Sequence, residues 1–120
     1  MEALKVLQKL FEVRDQIHFL HLNTQSHSEH KALNEFYDNW LDLADSFIET
    51  YQGKYGRIQG DAQINISTTI EVNIYLVALS EFLNKDIVTL IDITIDSDLD
   101  NIIADLKGLV NHTRYLLTLK

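Results

Sequence analysis

The feature that most constrains the fold is a shortage of helix-breaking residues. The 120 residues include no proline and only four glycines, and three of those glycines, Gly53, Gly56 and Gly60, lie close together. Because proline and glycine are the strongest local interruptions of a helix, we predict two helical halves separated by one break. A chain of this length is expected to form a single domain over residues 1–120.

In the first half, apolar residues recur at helical spacing. The pattern predicts one helix from about Glu2 to Asn23, followed by a short polar stretch. Ser28 is then a plausible N-cap for a second helix that continues to about Gln52. Two long helices with a short connection are expected to pack as an antiparallel hairpin. The predicted buried residues are Leu4, Leu7, Leu10, Phe11, Ile17 and Leu22 in the first helix and Leu33, Phe36, Trp40, Leu43, Ala44, Phe47 and Tyr51 in the second.

The second half is less regular. Residues 64–74 alternate isoleucine and valine with polar residues, which is typical of a strand. Because a lone strand has no partner, we expect an extended crossover or the start of a helix. We predict a third helix from Tyr75 to about Leu90, and a capping box at Ser97–Asp100 that opens a fourth. Four amphipathic helices with a long middle connection predict an all-α, ferritin-like four-helix bundle. The apolar residues of the fourth helix are Ile102, Ile103, Leu106, Leu109, Val110, Leu116 and Leu117.

Charge and composition exclude several classes of function. The chain has 18 acidic and 10 basic residues, a net charge of −8, and its basic residues are scattered. Such a chain is not expected to bind nucleic acid or an anionic membrane. The absence of cysteine excludes disulfides, thiolate catalysis and cysteine zinc sites. The same negative field raises the local concentration of metal cations.

Other familiar motifs are missing. The N-terminus has none of the regions of a signal peptide, and no apolar run could span a bilayer, so we expect a cytoplasmic protein. The segment 53–56 lacks the spacing of a P-loop, and no serine lies in a nucleophile elbow. The acidic series Asp92, Asp96, Asp98 and Asp100 lacks the glycine and closing glutamate of an EF-hand, so we reject a calcium loop there.

Histidines are concentrated around the first helix connection, and two of them have a definite spacing to two carboxylates. His18 precedes His30 by twelve residues, Asp45 follows His30 by fifteen, and Glu49 lies four residues further on. This spacing resembles the ferroxidase site of the Dps family, the miniferritins. The resemblance implies that His18, His30, Asp45 and Glu49 bind iron and that the site oxidises Fe(II). The same imidazole and carboxylate ligands also suit zinc or manganese.

The residues around this spacing depart from the family. Asn34 stands where miniferritins carry an aspartate one turn after the second histidine, a change that would weaken iron binding or favour a single metal. Phe19, in place of a tryptophan, follows the first histidine. Asp38 and Asp42 are usual residues of a solvated face, but either could replace the missing carboxylate. His21 and His27 are secondary candidate ligands, and His21 also suits a core or interface position.

Helix geometry decides how the four main residues can meet. At a rise of ~1.5 Å per residue, Asp45 lies about 22 Å along the second helix from His30, so one chain cannot bring both to one metal. They can meet if the second helices of two copies pack antiparallel in a two-fold homodimer, with the axis near Tyr37, Asp38 and Leu41. The miniferritin resemblance further implies assembly of such dimers into a larger shell.

A second hypothesis comes from a different class of protein. The same bundle and the same dimer could belong to a non-catalytic helical protein that has lost the metal site and acts as a structural or interaction module. Under this second hypothesis the bundle and the dimer are kept, and ferroxidase activity is absent. Aerobic addition of Fe(II) to the protein discriminates between the two hypotheses.

Overall fold

A computed structural model describes residues 1–119. It confirms an all-α fold of four compactly packed helices, with a long connection over residues 56–71 between the second and the third. A π-helical turn and a 3₁₀ turn continue the third helix as far as Leu90. The helices are α1 (Ala3–Asn23), α2 (His27–Tyr55), α3 (Val72–Glu81) and α4 (Ser97–Leu116), and the two turns are Phe82–Asp86 and Ile87–Leu90.

The long connection decides the relative directions of the four helices. α1 and α2 form the predicted antiparallel hairpin, in which the Trp40 indole donates a hydrogen bond of 3.0 Å to the Leu10 carbonyl. The chain then returns along α1, so α3 runs in the same direction as α2. α4 runs antiparallel to α2, because Lys54 near the end of α2 contacts Ile95 just before α4 begins. One end of the bundle therefore holds the α1–α2 connection, and the other holds the α2–α4 contact.

The long connection is extended and is anchored to α1 by side-chain amides. The Gln16 amide donates to the Ser67 carbonyl at 2.9 Å and accepts from the Ser67 amide at 2.8 Å. Gln8 likewise accepts from the backbone amide of Gln63. Gln16 is buried, so its side chain satisfies a backbone segment much as a neighbouring strand would. The predicted extended crossover is confirmed, and residues 1–119 contain no strand.

The core follows the predicted apolar stripe in α2, but in α1 it lies along a different line of residues. Leu4, Leu7 and Phe11 are only half-buried, whereas the buried residues of α1 are Val6, Leu10, Val13, Gln16, Ile17 and Leu20. Trp40, Phe36 and Phe47 are the largest fully buried side chains, and α1 and α4 pack against α2, which carries them. Leu22 was predicted to be buried but is 66% exposed, because it lies in the last turn of α1, where the chain turns away towards α2. Within residues 1–119, no helix is long and apolar enough to cross a membrane.

Two predicted helix starts are wrong, because another residue occupies the cap position, and a capping box predicted at a third helix does not form. Ser26, not Ser28, caps α2 by accepting a hydrogen bond from the amide of Glu29. α3 begins at Val72 rather than Tyr75, because the Glu71 carboxylate accepts from two amides of its first turn. The predicted capping box does not form at α4. Ser97 is the first residue of the helix, and the N-cap residue is Asp96, whose carboxylate accepts no hydrogen bond from an amide of the first helical turn.

Candidate functional site

The short connection between α1 and α2 brings two histidines into contact. His21 lies in the last turn of α1 and His30 in the first turn of α2. Their rings stack with centroids 3.8 Å apart and an interplanar angle of 24°. Each ring also bonds to the other residue's backbone: Nδ1 of His21 lies 2.8 Å from the His30 carbonyl oxygen, and Nδ1 of His30 lies 2.8 Å from the His21 carbonyl oxygen. We call these two residues the histidine pair.

The hydrogen bonds of the histidine pair fix where the ring protons are. A carbonyl oxygen can only accept, so each Nδ1 must carry a hydrogen. In the neutral imidazole this leaves the lone pair on Nε2, the arrangement in which metal-binding histidines are usually held. The His21 carbonyl belongs to the last turn of α1, where carbonyls lack helical partners. The histidine pair therefore joins the end of α1 to the start of α2 by two hydrogen bonds. The two Nε2 atoms remain as potential metal ligands.

The other histidines occupy different positions. His18 is exposed, and its ring lies 4.6 Å from that of Tyr37 and 6.2 Å from that of His21. The structure thus stacks His30 against His21, not against His18. His27 lines a shallow groove together with the histidine pair, Lys31 and Asn34. His112 is exposed on α4.

The predicted carboxylates lie further along one side of α2, which we call the outer face. Its polar residues are all exposed, as predicted, while Tyr37, Leu41 and Ile48 on the same side are half-buried. A second groove, lined by Glu49, Gln52, Gly53, Gly56 and Arg57, lies at the end of this face opposite the histidine pair. Within residues 1–119, no group of three or more histidine, aspartate or glutamate side chains converges to hold a metal in one chain. The exposed polar residues of the outer face are His30, Asn34, Asp38, Asp45 and Glu49.

At the other end of the bundle, a buried carboxylate joins α2 to α4. Asp96 is fully buried and accepts from the Lys54 ammonium at 2.8 Å, from the Tyr55 hydroxyl at 2.6 and 2.7 Å, and from the Asp92 amide at 2.8 Å. Lys54 also bonds to Asp98 at 2.9 Å. We call these five residues the Asp96 network.

The donors of the Asp96 network stabilise the ionised carboxylate. They hold the pKa of Asp96 well below its usual range, at about 2, with Lys54 as the largest cause, followed by the Tyr55 hydroxyl and the Asp92 amide. The same contacts raise the pKa of Lys54, again chiefly through Asp96. The ammonium and the carboxylate thus keep each other charged over the ordinary pH range.

Sequence patterns do not reveal the Asp96 network. Residues 53–56 match no phosphate-binding motif, and the acidic series after Ile91 matches no calcium loop. In the structure Asp96 and Asp98 bind Lys54, and Asp92 accepts from the amide and hydroxyl of Thr94. The sequence shows only that Asp96 lies just before the apolar stripe of α4, a position typical of a helix cap. No local pattern indicates that its partner is Lys54, more than forty residues earlier in the chain.

Comparison with known proteins gives one family. The model of DUF5856, a family of unknown function, matches residues 21–117. The chain belongs to the DUF5856 family. No curated protein and no solved structure matches it. The part of the chain shared with DUF5856 begins at His21, so it includes the histidine pair, the acidic residues of α2 and the whole Asp96 network, and it leaves out His18.

Proposed function

We propose that the protein binds a divalent transition metal at a site made by two copies of the chain. His30 and His21 of one copy supply imidazole nitrogens, and Asp45 and Glu49 of the other supply carboxylate oxygens. The observation that carries the proposal is the reciprocal bonding of the histidine pair through Nδ1, which leaves both Nε2 atoms without a hydrogen-bond partner among residues 1–119. Mixed imidazole and carboxylate ligands suit iron, zinc and manganese.

The outer face of α2 supports a shared site. His30 is in the first turn of the helix, Glu49 is near its end, and both side chains are exposed. When two copies of α2 pack antiparallel, the first turn of each lies beside the last turns of the other. The groove at the histidine pair then faces the groove that holds Glu49. Two-fold symmetry repeats the arrangement, so a dimer has two sites.

The geometry favours His21 over His18 as the second imidazole. His18 packs beside Tyr37, and no backbone carbonyl accepts a hydrogen bond from its ring among the bonds of the described residues. The ring of His21, in contrast, is held at Nδ1 and stacked on His30. In the nearly parallel stack the two Nε2 lone pairs lie in separate ring planes, so each imidazole would bind its own ion of a closely spaced pair. A ligand whose orientation is already fixed loses less conformational freedom on binding. His18 is then a neighbour of the metal site.

Ferrous iron is the substrate suggested by the part of the miniferritin spacing that the proposed site keeps, namely His30, Asp45 and Glu49. Asp45 and Glu49, one helical turn apart, can hold two ions close together, with Glu49 bridging them. Two Fe(II) ions then each give one electron to O2, which takes up two protons and leaves as hydrogen peroxide, while both irons become Fe(III). Asn34 is a neutral ligand in place of a carboxylate, so we expect weaker binding of the second ion.

A structural or interaction module is the second candidate, and one observation favours it. The histidine pair already has a role within one chain, because its two hydrogen bonds join the end of α1 to the start of α2. A chain that had lost the metal would still need these contacts. Under this hypothesis the exposed outer face of α2 binds a protein partner without a metal.

Aerobic addition of Fe(II) to metal-free protein tests the proposal. The growth of ferric absorbance in the near ultraviolet is compared with buffer and with His21→Ala, His30→Ala and Glu49→Gln. We expect oxidation faster than buffer in the wild type and loss of the excess rate in all three variants. His112→Ala is the matched control, because His112 is an exposed histidine on α4, and it should behave as the wild type.

Two results would count against the proposal. If the wild type and buffer give the same trace and calorimetry detects no binding of zinc, the metal site is excluded and the interaction module becomes the better hypothesis. If zinc binds but iron is not oxidised, the site stands and the ferroxidase chemistry is wrong.

A further inference from the structure

The middle of the α2 outer face is strongly acidic. Between residues 35 and 49 the helix carries five acidic residues and no lysine or arginine; the basic residues of α2, Lys31 and Lys54, lie near its two ends. Of these acidic residues, Asp38 lies in the middle of the outer face and Asp42 lies at its border, and both are exposed. A second copy that packs antiparallel on this face therefore brings a second acidic segment against the first.

The apolar part of the face is small. Tyr37, Leu41 and Ile48 are half-buried in the single chain, so each has only part of its surface left to bury against a partner. Stable protein interfaces usually bury about 800 Å² on each partner around an apolar core. Here the residues next to the two-fold axis include Asp38 and Asp42 from both copies, and each chain has a net charge of −8. Charge repulsion and the cost of removing water from carboxylates oppose the pairing.

The ends of the face have the opposite character. There Asp45 and Glu49 of one copy lie beside the histidine pair of the other, where a divalent cation would neutralise two carboxylates at once. Because the symmetry places such a site at each end, two cations offset four carboxylates per dimer. With the metal bound, the outer faces of two copies can therefore pack together despite their negative charge.

We propose that the metal controls the assembly: without metal the chain is a monomer, and occupation of the site by a divalent ion pairs two chains through the outer face of α2. This inference rests on the proposed function. If each ion binds only in the dimer, each of the two sites strengthens dimerisation about 100-fold when free metal is about 100 times its dissociation constant. Together the two sites give about 10⁴-fold.

Sedimentation velocity tests this directly, with zinc as the probe because it binds the same ligands without redox chemistry. The wild type should sediment as a monomer after chelation and as a dimer with zinc. His30→Ala should remain a monomer in zinc, and His112→Ala should dimerise as the wild type does. Calorimetry on the same samples should give one tightly bound zinc per chain, because Asn34 weakens the binding of a second ion at each site.

A second variant tests the repulsion and leaves the four ligands of the proposed site unchanged. Asp42→Asn removes one charge per chain near the axis, and we expect it to strengthen dimerisation of the metal-free protein at least ~10-fold. Asp105→Asn, which changes an exposed aspartate on α4, is its matched control and should have no effect.

The outcomes separate this inference from the proposed function. A metal-free protein that is already dimeric and binds zinc would overturn control by metal and leave the shared site intact. Zinc that binds a persistent monomer would overturn both the control and the sharing of the site. If zinc does not bind at all, the proposed function fails first and this inference fails with it.

Discussion

The two ends of the bundle solve the same problem in different ways. Each end joins α2 to a neighbouring helix through polar side chains, the histidine pair to α1 and the Asp96 network to α4. In the Asp96 network the buried carboxylate has charged and neutral donors around it, all from the same chain. In the histidine pair, the hydrogen bonds within residues 1–119 involve only Nδ1 of each ring. The first arrangement is complete in one chain and stabilises the fold, whereas the second leaves two ring nitrogens that a metal could bind.

Among the substitutions that test this comparison, we expect Asp96→Asn to cause the largest loss of stability. The neutral amide keeps the shape of the side chain but no longer neutralises Lys54, and its nitrogen faces donors instead of acceptors. We expect a larger loss of thermal stability, measured by circular dichroism, than for any single substitution in the histidine pair. Asp105→Asn is the control, and an equal melting temperature for both variants would show that the network contributes nothing.

The second largest effect is expected from acid, which should reduce the contribution of the Asp96 network to stability. Because the pKa of Asp96 is lowered from 3.8 to about 2, its carboxylate stabilises the folded protein fully above pH 3.8, and this contribution is lost as the pH falls towards 2. The difference in melting temperature between wild type and Asp96→Asn should therefore be constant near neutral pH and shrink between about pH 4 and 2. A difference that stays constant down to pH 2 would contradict the lowered pKa.

At the histidine end, stability should depend on an added ligand. Zinc at about 100 times its dissociation constant should stabilise the folded protein by about 2.7 kcal/mol per site, a rise in melting temperature on the order of 10 °C. The rise should disappear in His21→Ala and in His30→Ala. A rise that survived in both variants would place the metal elsewhere in the chain.

The smallest effect is expected for His30→Ala without metal. This variant loses one ring-to-carbonyl hydrogen bond and the stacking on His21, while the bond from His21 to the residue-30 carbonyl can persist. A net loss of about 1 kcal/mol is expected in urea unfolding. A much larger loss would mean that the histidine pair, like the Asp96 network, chiefly holds the fold together, and it would favour the interaction module.

Much of the fold could be predicted because its signals are local. The periodic apolar residues and the missing prolines were enough to place α1, α2 and α4. The start of α3 was missed because residues 64–74 alternate like a strand, and only the capping by Glu71 shows where the extended segment ends.

The two ends could be predicted to very different degrees. The spacing of His30, Asp45 and Glu49 is visible in the sequence, so candidate ligands were found, although the contact of His30 with His21 depends on the direction in which the short connection turns. The bond between Lys54 and Asp96 joins residues far apart in the chain. No local pattern contains that information.

The two hydrogen bonds between the Gln16 side chain and the Ser67 backbone bear on where the chain can be cut. They hold the last part of the long connection, at Ser67, against α1, whereas residues 59–66 before it are exposed. The chain is thus divided into two pieces of similar length, each with two of the four helices, and the pieces share one core. A protease that cut the exposed segment would leave the packing of α2 against α1 and α4 unbroken. This is where the sequence could be split, lengthened or rejoined in a new order at the least cost to the fold.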